Sequence, residues 1–567
     1  MAASRIAKAA FIIMVGSVLS RVLGLGREVV ISYQFGAGAK VDAFTAAAHI
    51  STIIYDLLIS GMVSAALVPV LSEYAAPERR AELGRIVGII LTGAVCVLVV
   101  GVGVLEIFAG PIVHFITNCA DPCPATERLA LDMTRIVLPG VVFMGISAVL
   151  MSTLYALHRF AFPSLAMSAL NAAIIGAALL LTGILDVQSL AVGMAAGAVL
   201  MVAIQWPGVH DVPIRLGFDL HHPAVRRILR LYAPIAVSLV VSQLALVFDR
   251  RFAFEVGEGS VSAMRYGTTL IQFALGIVGA AISLAALPSL SQHFANGDEP
   301  AYRRTLGAGM RLVTVLVLPA AAGLFFLAVP LVTLFFEGGA FTEGDTWSTV
   351  LALLCYVLGL PAAALNQVLI FGFYSRKNTV TPVTVGICGV AVYLVAALLL
   401  KGPLGMAGLV LASSAQLTFN ATVTGLLLWR MLGGLPGQAV GRTALKCALG
   451  ALLMGVTSFA AWGALAPILP GDNKITQLLL LGVPGATGLL AYAATLYALR
   501  VPELTQVTGM VLRRLPGRRP APPLPPLQDG AREDVVFEDA AQALGSEGLG
   551  GGLDPRLVSV DLGDPDS

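Results

Sequence analysis

The sequence predicts an all-α integral membrane protein with fourteen transmembrane helices: two six-helix bundles in a pseudo-twofold repeat, followed by two C-terminal helices. Of 567 residues, 57% are hydrophobic and 12% are charged, and the mean hydropathy is +0.87. Apolar runs long enough to cross a bilayer, about 20 residues each, follow one another along the chain. The two halves also match each other at a constant offset. This composition excludes a water-soluble protein, and a net charge of +2 gives no indication of nucleic-acid binding.

Each apolar run is predicted to be a helix, because lipid offers no partner for the backbone N–H and C=O groups of any irregular segment. The predicted spans lie at about 8–34, 41–73, 84–116, 130–157, 163–184, 187–208, 229–256, 260–293, 306–336, 346–373, 380–400, 405–431, 441–467 and 475–499.

Basic residues between the spans predict the orientation. Lys and Arg precede the first span and follow every even-numbered one, for example at 226–230 and 513–519. The opposite loops carry acids such as Glu255, Glu258 and Glu337. By the positive-inside rule, both termini are expected to be cytoplasmic.

Two polar segments have open interpretations. Residues 515–527 are proline-rich and the chain beyond them is acidic, so 501–567 is predicted to be a disordered cytoplasmic tail. A solvated tail is the favoured interpretation, with a partner-binding role as the alternative.

Cys119 and Cys123 share a short loop and form either a disulfide, if that loop faces an oxidising space, or two free thiols.

An offset of 219 residues relates the two halves. SAALVPVLS at 64–72 aligns with SLAALPSLS at 283–291, and the same offset pairs Arg85 with Arg304. We expect a lobe at 1–208, a cytoplasmic linker at 209–228, a second lobe at 229–431 and two further helices at 432–500. Parallel repeats of this kind enclose a central site that rocking of the halves exposes to each side in turn, which favours a transporter.

Charged residues within the predicted spans mark the candidate site, because each costs at least about 2.5–3.5 kcal/mol at mid-membrane and normally faces protein or water. Arginine suits phosphate oxygens, so an electropositive cavity indicates a phosphate or pyrophosphate headgroup whose lipid tail stays in the bilayer. The charged residues within the spans are Arg21, Arg27, Glu28, Asp42, Asp56, Glu106, Asp249, Arg250, Arg251 and Arg265.

Alternative interpretations exist for most of these residues. Arginines close to span ends can extend to the outer headgroups, and this applies to Arg27, Arg250, Arg251 and Arg265. Arg21 lies too deep for that, so its alternative is an ion pair with Asp56 or Glu28. The chain has no G-x-x-x-x-G-K-[ST] loop for ATP, and no cofactor is predicted. Asp56 and Asp249 are candidates for coupling to protons, Na⁺ or the membrane potential.

Seven motifs follow one another along the chain: SRVLGLGRE (20–28), FGAG (35–38), DAF (42–44), LVPVLSEY (67–74), GSVSAMRYG (259–267), LPSLSQHF (287–294) and GFYSRKNTVTP (372–382). In this order they resemble the MurJ/MviN family of lipid II flippases, within the multidrug/oligosaccharidyl-lipid/polysaccharide exporter superfamily. The resemblance implies a V-shaped transporter of two six-helix lobes, with a groove between the last two helices for the lipid tail.

Individual residues carry the resemblance further. Ser20, Arg21, Arg27 and Asp42 match positions that the family uses in its cavity and gate, and Ser20 and Asp42 are assigned to the gate. Arg21 and Arg27 are then expected to bind the diphosphate, together with Arg250, Arg251 and Arg265, which are extra to the family pattern. Where the family typically has an Arg-Arg pair and then Glu-Gly, this chain has Tyr55, Asp56, Ser60 and Gly61. Where the family has Asp-Arg and then an acid, this chain has Thr268, Thr269 and Gln272.

The resemblance implies a transporter, not an enzyme, that moves lipid II from the inner to the outer leaflet of a bacterial cytoplasmic membrane. Expected partners are lipid II or another polyprenyl-pyrophosphate-linked saccharide, membrane lipids and, through the tail, cell-wall synthesis proteins. The alternatives are an exporter of another lipid-linked oligosaccharide and a non-transporting scaffold. A drug exporter is disfavoured because arginines repel organic cations. A polyprenyl-phosphate enzyme would need an acidic metal-binding cluster, which the sequence lacks.

Overall fold

The computed structural model describes residues 2–56, 66–117, 124–219, 221–434, 437–469 and 473–504. The regular secondary structure of these residues is helical. Within this part of the chain there are eighteen α-helices, α1 to α18, and no β-strand. The loop with Cys119 and Cys123 and the predicted tail beyond residue 504 lie outside the described residues.

The first lobe contains nine of these helices. α7 and α9 pack most closely, because α9 presents Gly193 and Gly197 to α7, and a Cβ on either glycine would come within 2.7 Å of an α7 side chain. This small-xxx-small spacing allows two membrane helices to approach closely. The nine helices are α1 (Ala2–Phe35), α2 (Ala39–Asp56), α3 (Val68–Ser72), α4 (Arg80–Ile107), α5 (Ala109–Thr117), α6 (Pro124–Ala156), α7 (Ala161–Leu180), α8 (Thr182–Leu185) and α9 (Gln188–Gln205).

The linker between the lobes packs against the first lobe. Gly84 and Gly88 of α4 leave room for the linker backbone at residues 213–215. Asp211 accepts hydrogen bonds from both ends of the Arg159 guanidinium, at 2.6 and 2.7 Å, and pairs with Arg80 as well. We call these three side chains, Arg80, Arg159 and Asp211, the linker cluster.

The second lobe and the two C-terminal helices contain the remaining elements. Pro361 follows directly on the 41° bend between α14 and α15, where a proline N atom cannot donate a helical hydrogen bond. The helices are α10 (Pro223–Val256), α11 (Ser260–Ala295), α12 (Glu299–Phe326), α13 (Ala328–Phe335), α14 (Glu343–Val357), α15 (Leu360–Ser375), α16 (Val380–Met431), α17 (Val440–Leu465) and α18 (Lys474–Ala498).

The 52-residue α16 is two helical segments joined at a sharp kink. Gly405 has φ 57° and ψ −132°, a backbone conformation outside the helical region, and Pro403 precedes it. A Cβ on Gly408 would come within 2.2 Å of the Leu400 carbonyl oxygen, so the two segments approach closely at the kink. The sequence prediction divided this region at the same place.

Eight helices of the described residues are long and apolar enough to cross a membrane, and nine are if the bent pair α14–α15 counts as one span. The prediction of an all-helical, multi-pass membrane protein is therefore confirmed, whereas the number fourteen stays a prediction. The eight are α4, α6, α7, α9, α12, α16, α17 and α18. α1 and α2, which are not among them, carry several of the candidate charged residues.

The two lobes meet through a few helices. α11 contacts α1 and α2, while α10 contacts α3, α4 and α5. α17 and α18 pack on each other and against α12 and α13, on the second lobe. Any site between the lobes is therefore built mainly from α1 to α5 on one side and from α10 and α11 on the other.

Candidate interlobe site

A buried carboxylate at the contact between the lobes holds two arginines. Glu28 of α1 is 1% exposed. It accepts a bidentate pair of hydrogen bonds from Arg265 of α11, at 2.8 and 2.9 Å, and further bonds from Arg27. We call Arg27, Glu28 and Arg265 the interlobe cluster. With two guanidinium groups and one carboxylate, its formal charge is +1.

Polar side chains of two more helices complete the surroundings of the interlobe cluster. Arg27 Nη1 donates to Asn171 Oδ1 of α7 at 3.0 Å, and the Asn171 amide donates to the Ser20 carbonyl oxygen at 3.3 Å. Arg265 Nη1 donates to Thr45 Oγ1 of α2 at 3.0 Å. The cluster therefore fixes α1, α2 and α7 of the first lobe to α11 of the second.

Asp42 connects the lobes at one end of the bundle. Its carboxylate is 2% exposed and accepts from the backbone N–H groups of Gly259 and Ser262, at 2.7 and 2.8 Å. These N–H groups belong to the start of α11 and have no partner within that helix. A side chain of the first lobe thus caps a helix of the second, and the N-terminal end of the helix dipole favours its negative charge.

The opposite cap is also present. Glu258, just before α11, accepts from the backbone N–H of Ala39, the first residue of α2, at 3.2 Å. Each lobe therefore supplies a carboxylate to a helix N-terminus of the other. We call this end of the bundle, formed by residues 36–42, 256–262 and 338–341, the gate end.

Backbone contacts close the gate end further. The Ala340 N–H donates to the Tyr33 carbonyl oxygen at 2.8 Å, and the Tyr266 hydroxyl donates to the Gly36 carbonyl oxygen at 2.9 Å. Gly339, with φ +59°, lies so close that a Cβ there would be 2.1 Å from the Tyr33 oxygen. No side chain could be added at this contact without separating the two backbones.

Arg21 contacts the second lobe farther along the same two helices. Its Nη1 donates to the Gln272 carbonyl oxygen of α11 at 3.5 Å, and its guanidinium lies against Gly276. Seven residues separate Arg21 from Glu28, which is about 10 Å along a helix. Arg21 is therefore at the lobe contact but is not part of the interlobe cluster, and its role in substrate binding stays a prediction.

The arginines of α10 lie apart from the interlobe cluster. Arg251 donates to the Phe115 carbonyl oxygen at 3.0 Å, stacks over the Phe115 ring and pairs with Glu255 at 3.3 Å. The Nε atom of Arg250 is buried and has no hydrogen-bond partner among the described residues. The same is true of the Nε2 atom of the neighbouring His49 of α2. Arg250 thus contributes an unsatisfied donor to the α2–α10 contact.

The two candidate coupling acids occupy different positions. Asp249 accepts a hydrogen bond from the Tyr393 hydroxyl of α16, inside the second lobe. Asp56 lies at the end of α2 and is hydrogen bonded to Gln243 of α10, between the lobes. No group of three or more His, Cys, Asp or Glu side chains suited to a metal ion occurs in the part of the chain that the structure describes.

Sequence reasoning did not assign a site role to three residues that organise this region. Glu28 was considered only as a partner for Arg21, yet it pairs with Arg27 and Arg265. Asn171 was overlooked, although it is an amide within an apolar helix, which is the signal that could have found it. Glu258 was noted only as a loop acid.

Comparison with known proteins identifies the family. Residues 31–466 match the family described as MurJ, lipid II flippase MurJ. The lipid II flippase MurJ of Burkholderia cenocepacia is 31% identical to this chain over 416 residues, which are 71% of this chain and 80% of the relative.

Solved structures share the fold. A lipid II flippase MurJ in an inward closed conformation has a TM-score of 0.73 at 23% identity and covers 87% of this chain and 100% of its own. An inward-facing multidrug resistance MATE family transporter of the MOP superfamily has a TM-score of 0.63 at 13% identity, with coverages of 73% and 95%.

Proposed function

Because the chain belongs to the MurJ family of lipid II flippases, we propose that it moves lipid II from the inner to the outer leaflet of a bacterial cytoplasmic membrane by alternating access, as a step of peptidoglycan and cell-wall biogenesis. The observation that carries the proposal is the interlobe cluster, in which two partly buried guanidinium groups share one buried carboxylate at the contact of the lobes.

The chemistry of the interlobe cluster suits a diphosphate. Both oxygens of Glu28 are bonded to Arg265, whereas Arg27 also donates to the neutral amide of Asn171. A diphosphate carries more negative charge than one carboxylate, and it can accept the planar donor fork of Arg27 without displacing Arg265. Arg21, about 10 Å farther along α1, is positioned to contact the pyrophosphate before it reaches the cluster.

The direction of transport follows from the gate end. The positive-inside rule assigns this end to the outer face, because the basic loops lie at the other ends of the helices. The structure then corresponds to a form that is closed toward the outside. Opening requires that the Asp42 and Glu258 caps and the Tyr33–Ala340 backbone bond separate together.

Fourteen spans with both termini in the cytoplasm are part of the proposal. The kink at Gly405 divides α16 into two segments, each of sufficient length to cross. Glu28 of α1 and Asp42 of α2 bind groups of the other lobe instead of facing lipid.

Coupling to Na⁺ or to the membrane potential completes the proposal, with Asp56 and Asp249 as the candidate residues. Both carboxylates lie on helices that line the lobe contact, and each has a neutral hydrogen-bond partner instead of an arginine. If collapse of the Na⁺ gradient and of the membrane potential leaves lipid II transport unchanged, the coupling proposal is rejected. The proposal of lipid II transport would still stand.

The direct test is complementation of a bacterial strain depleted of its own lipid II flippase, followed by lipid II flipping in proteoliposomes. The wild-type chain is expected to support growth and flipping, and the variant Arg21→Glu with Arg27→Glu is expected to support neither. Arg226→Glu with Arg230→Glu is the matched control, because both arginines are exposed near the start of α10, outside the interlobe cluster and the gate end.

The outcomes separate the alternatives. A properly folded wild-type chain that flips another polyprenyl-linked oligosaccharide but not lipid II would identify an exporter of that substrate. A chain that flips neither, in the presence of a Na⁺ gradient and a potential, would identify a non-transporting scaffold.

A further inference from the structure

A basic pocket opens on the far side of the second lobe, at the end of the bundle opposite the gate end. It lies between the first turns of α12, the start of α17 and the residues that follow α18, and its volume is about 580 Å³. Five charged side chains line it, of which one is an acid: Arg304, Arg311, Arg442, Lys446 and Glu503. Four positive groups and one negative group give the pocket a formal charge of +3. We call it the basic pocket.

The pocket's own carboxylate neutralises only one of its cations. Glu503 is 4% exposed and pairs with Arg311, which also donates to the Gln438 carbonyl oxygen. Lys446 donates to the Leu499 carbonyl oxygen at the end of α18, a neutral partner. Arg304 and Arg442 have no ion pair or hydrogen bond to any residue of the described ranges. The pocket thus offers two guanidinium groups to an anionic occupant.

The chain itself supplies an acidic segment next to this pocket. Residues 501–503 form part of the wall, so the chain leaves the described structure at the rim. Residues 528–567 contain two arginines and ten acids, a formal charge of −8: Asp529, Glu533, Asp534, Glu538, Asp539, Glu547, Asp554, Asp561, Asp564 and Asp566. We call residues 528–567 the acidic segment.

Length and tethering favour this segment as the occupant. The 23 residues from 505 to 527 separate the rim from the acidic segment, and an extended chain covers about 3.3 Å per residue, so the connection is long enough to fold back. A segment joined by a short linker acts at an effective concentration in the mM range, which a separate partner seldom reaches. Its adjacent acids, Glu533–Asp534 and Glu538–Asp539, provide carboxylates for two separate guanidinium groups.

We propose that the acidic segment binds in the basic pocket through Arg304 and Arg442. Because α12 belongs to the second lobe while α17 and α18 are the added helices, the bound segment connects the added pair to the moving lobe on its cytoplasmic side. This interaction does not depend on which lipid the protein transports.

A photo-crosslink in the full-length chain tests the proposal. p-Benzoylphenylalanine replaces Ala308, which lines the pocket, and the protein is irradiated in nanodiscs of phosphatidylcholine. Mass spectrometry is expected to find the adduct within residues 528–567. Raising the salt from about 0.15 M to about 1 M should reduce its yield, because exposed charges are screened.

Two matched variants make the result specific. Arg304→Glu with Arg442→Glu is expected to lower the adduct yield about fivefold, the effect of losing exposed ion pairs. Arg226→Glu with Arg230→Glu, outside the pocket, should leave the yield unchanged. A probe at Leu216, which is 72% exposed in the linker, should give no adduct with the acidic segment. Size-exclusion profiles confirm that each variant is folded.

Three outcomes would overturn the proposal. The first is no adduct from position 308 to the acidic segment. The second is an adduct yield that charge reversal of Arg304 and Arg442 leaves unchanged. The third is replacement of the segment by a lipid adduct in nanodiscs that contain phosphatidylglycerol, which would identify an anionic headgroup as the occupant. None of these results depends on flipping activity, so failure here is distinguishable from failure of the proposed function.

Discussion

The interlobe cluster and the linker cluster contain the same groups in different surroundings. Each holds two arginines around one carboxylate, and in each the carboxylate receives a bidentate pair of bonds. Glu28 is 1% exposed and joins different lobes, whereas the side chain of Asp211 is 35% exposed and joins the linker to the first lobe. Burial therefore decides how much each cluster contributes to stability, and connectivity decides whether it must break during transport.

The largest difference is expected on removing the buried carboxylate charge. Glu28→Gln leaves two arginines without their anion, and breaking a buried ion pair costs about 3–5 kcal/mol. We expect a loss of stability of this size, measured by denaturant unfolding of the purified protein, and loss of complementation. Replacing Glu28 and Arg265 together by Leu and Met should recover part of the stability, because apolar replacement of both partners is tolerated. A loss no larger than that of an Asp211 variant would remove the contrast between the clusters.

An intermediate effect is expected at the gate end. Asp42→Ala removes the cap of α11, and a lost helix cap costs about 0.5–2 kcal/mol. We expect the gate to open more often, so that a cysteine replacing the fully buried Ala263 reacts severalfold faster with an impermeant maleimide. Asp42→Asn should have a smaller effect, since asparagine also caps helices. These measurements use a chain whose native cysteines are replaced, with Asp186→Ala as the control. Equal labelling rates in all variants would contradict the role of the cap.

The smallest effect is expected in the linker cluster. Asp211→Asn should cost at most about 1 kcal/mol at neutral pH, because exposed ion pairs contribute little, and transport should continue.

Measurements at low pH extend the comparison of the two clusters. The hydrogen bonds from Arg159 lower the pKa of Asp211 from 3.8 to about 2. The carboxylate therefore contributes stability above pH 3.8 that is lost as the pH falls toward 2. Unfolding followed from pH 5 to about 2 should show a steeper loss for the wild type than for Asp211→Asn. Parallel profiles would show that the linker cluster contributes nothing.

The helices were predictable from sequence, and the partners of their charged residues were not. Apolar runs of about 20 residues locate helices by themselves, and the boundary predicted between 400 and 405 coincides with the kink of α16 at Gly405. The arginines of α1 stood out because lipid excludes charge. Arg265, however, is 237 residues from Glu28, and only tertiary packing brings them together.

The gate end shows the same limit. The family resemblance assigned Asp42 to a gate, but the groups that it binds are backbone N–H groups of Gly259 and Ser262, which carry no side-chain signature. Glu258, its counterpart, read as an ordinary loop acid. Periodicity and composition predict each helix separately. A cap that the other lobe supplies depends instead on the relative positions of two helix ends in the folded protein.

The exchange of caps between the lobes makes closure of the gate end cooperative. When the lobes separate by even a few ångströms, α2 loses the capping carboxylate of Glu258 and α11 simultaneously loses that of Asp42. Among the described residues of the gate end, neither lobe has a second carboxylate that caps its own helix. A partly parted gate would leave both helix ends unsatisfied, so its population should be low. The gate end is therefore expected to switch between two states, sealed and fully open, without a stable leak between them.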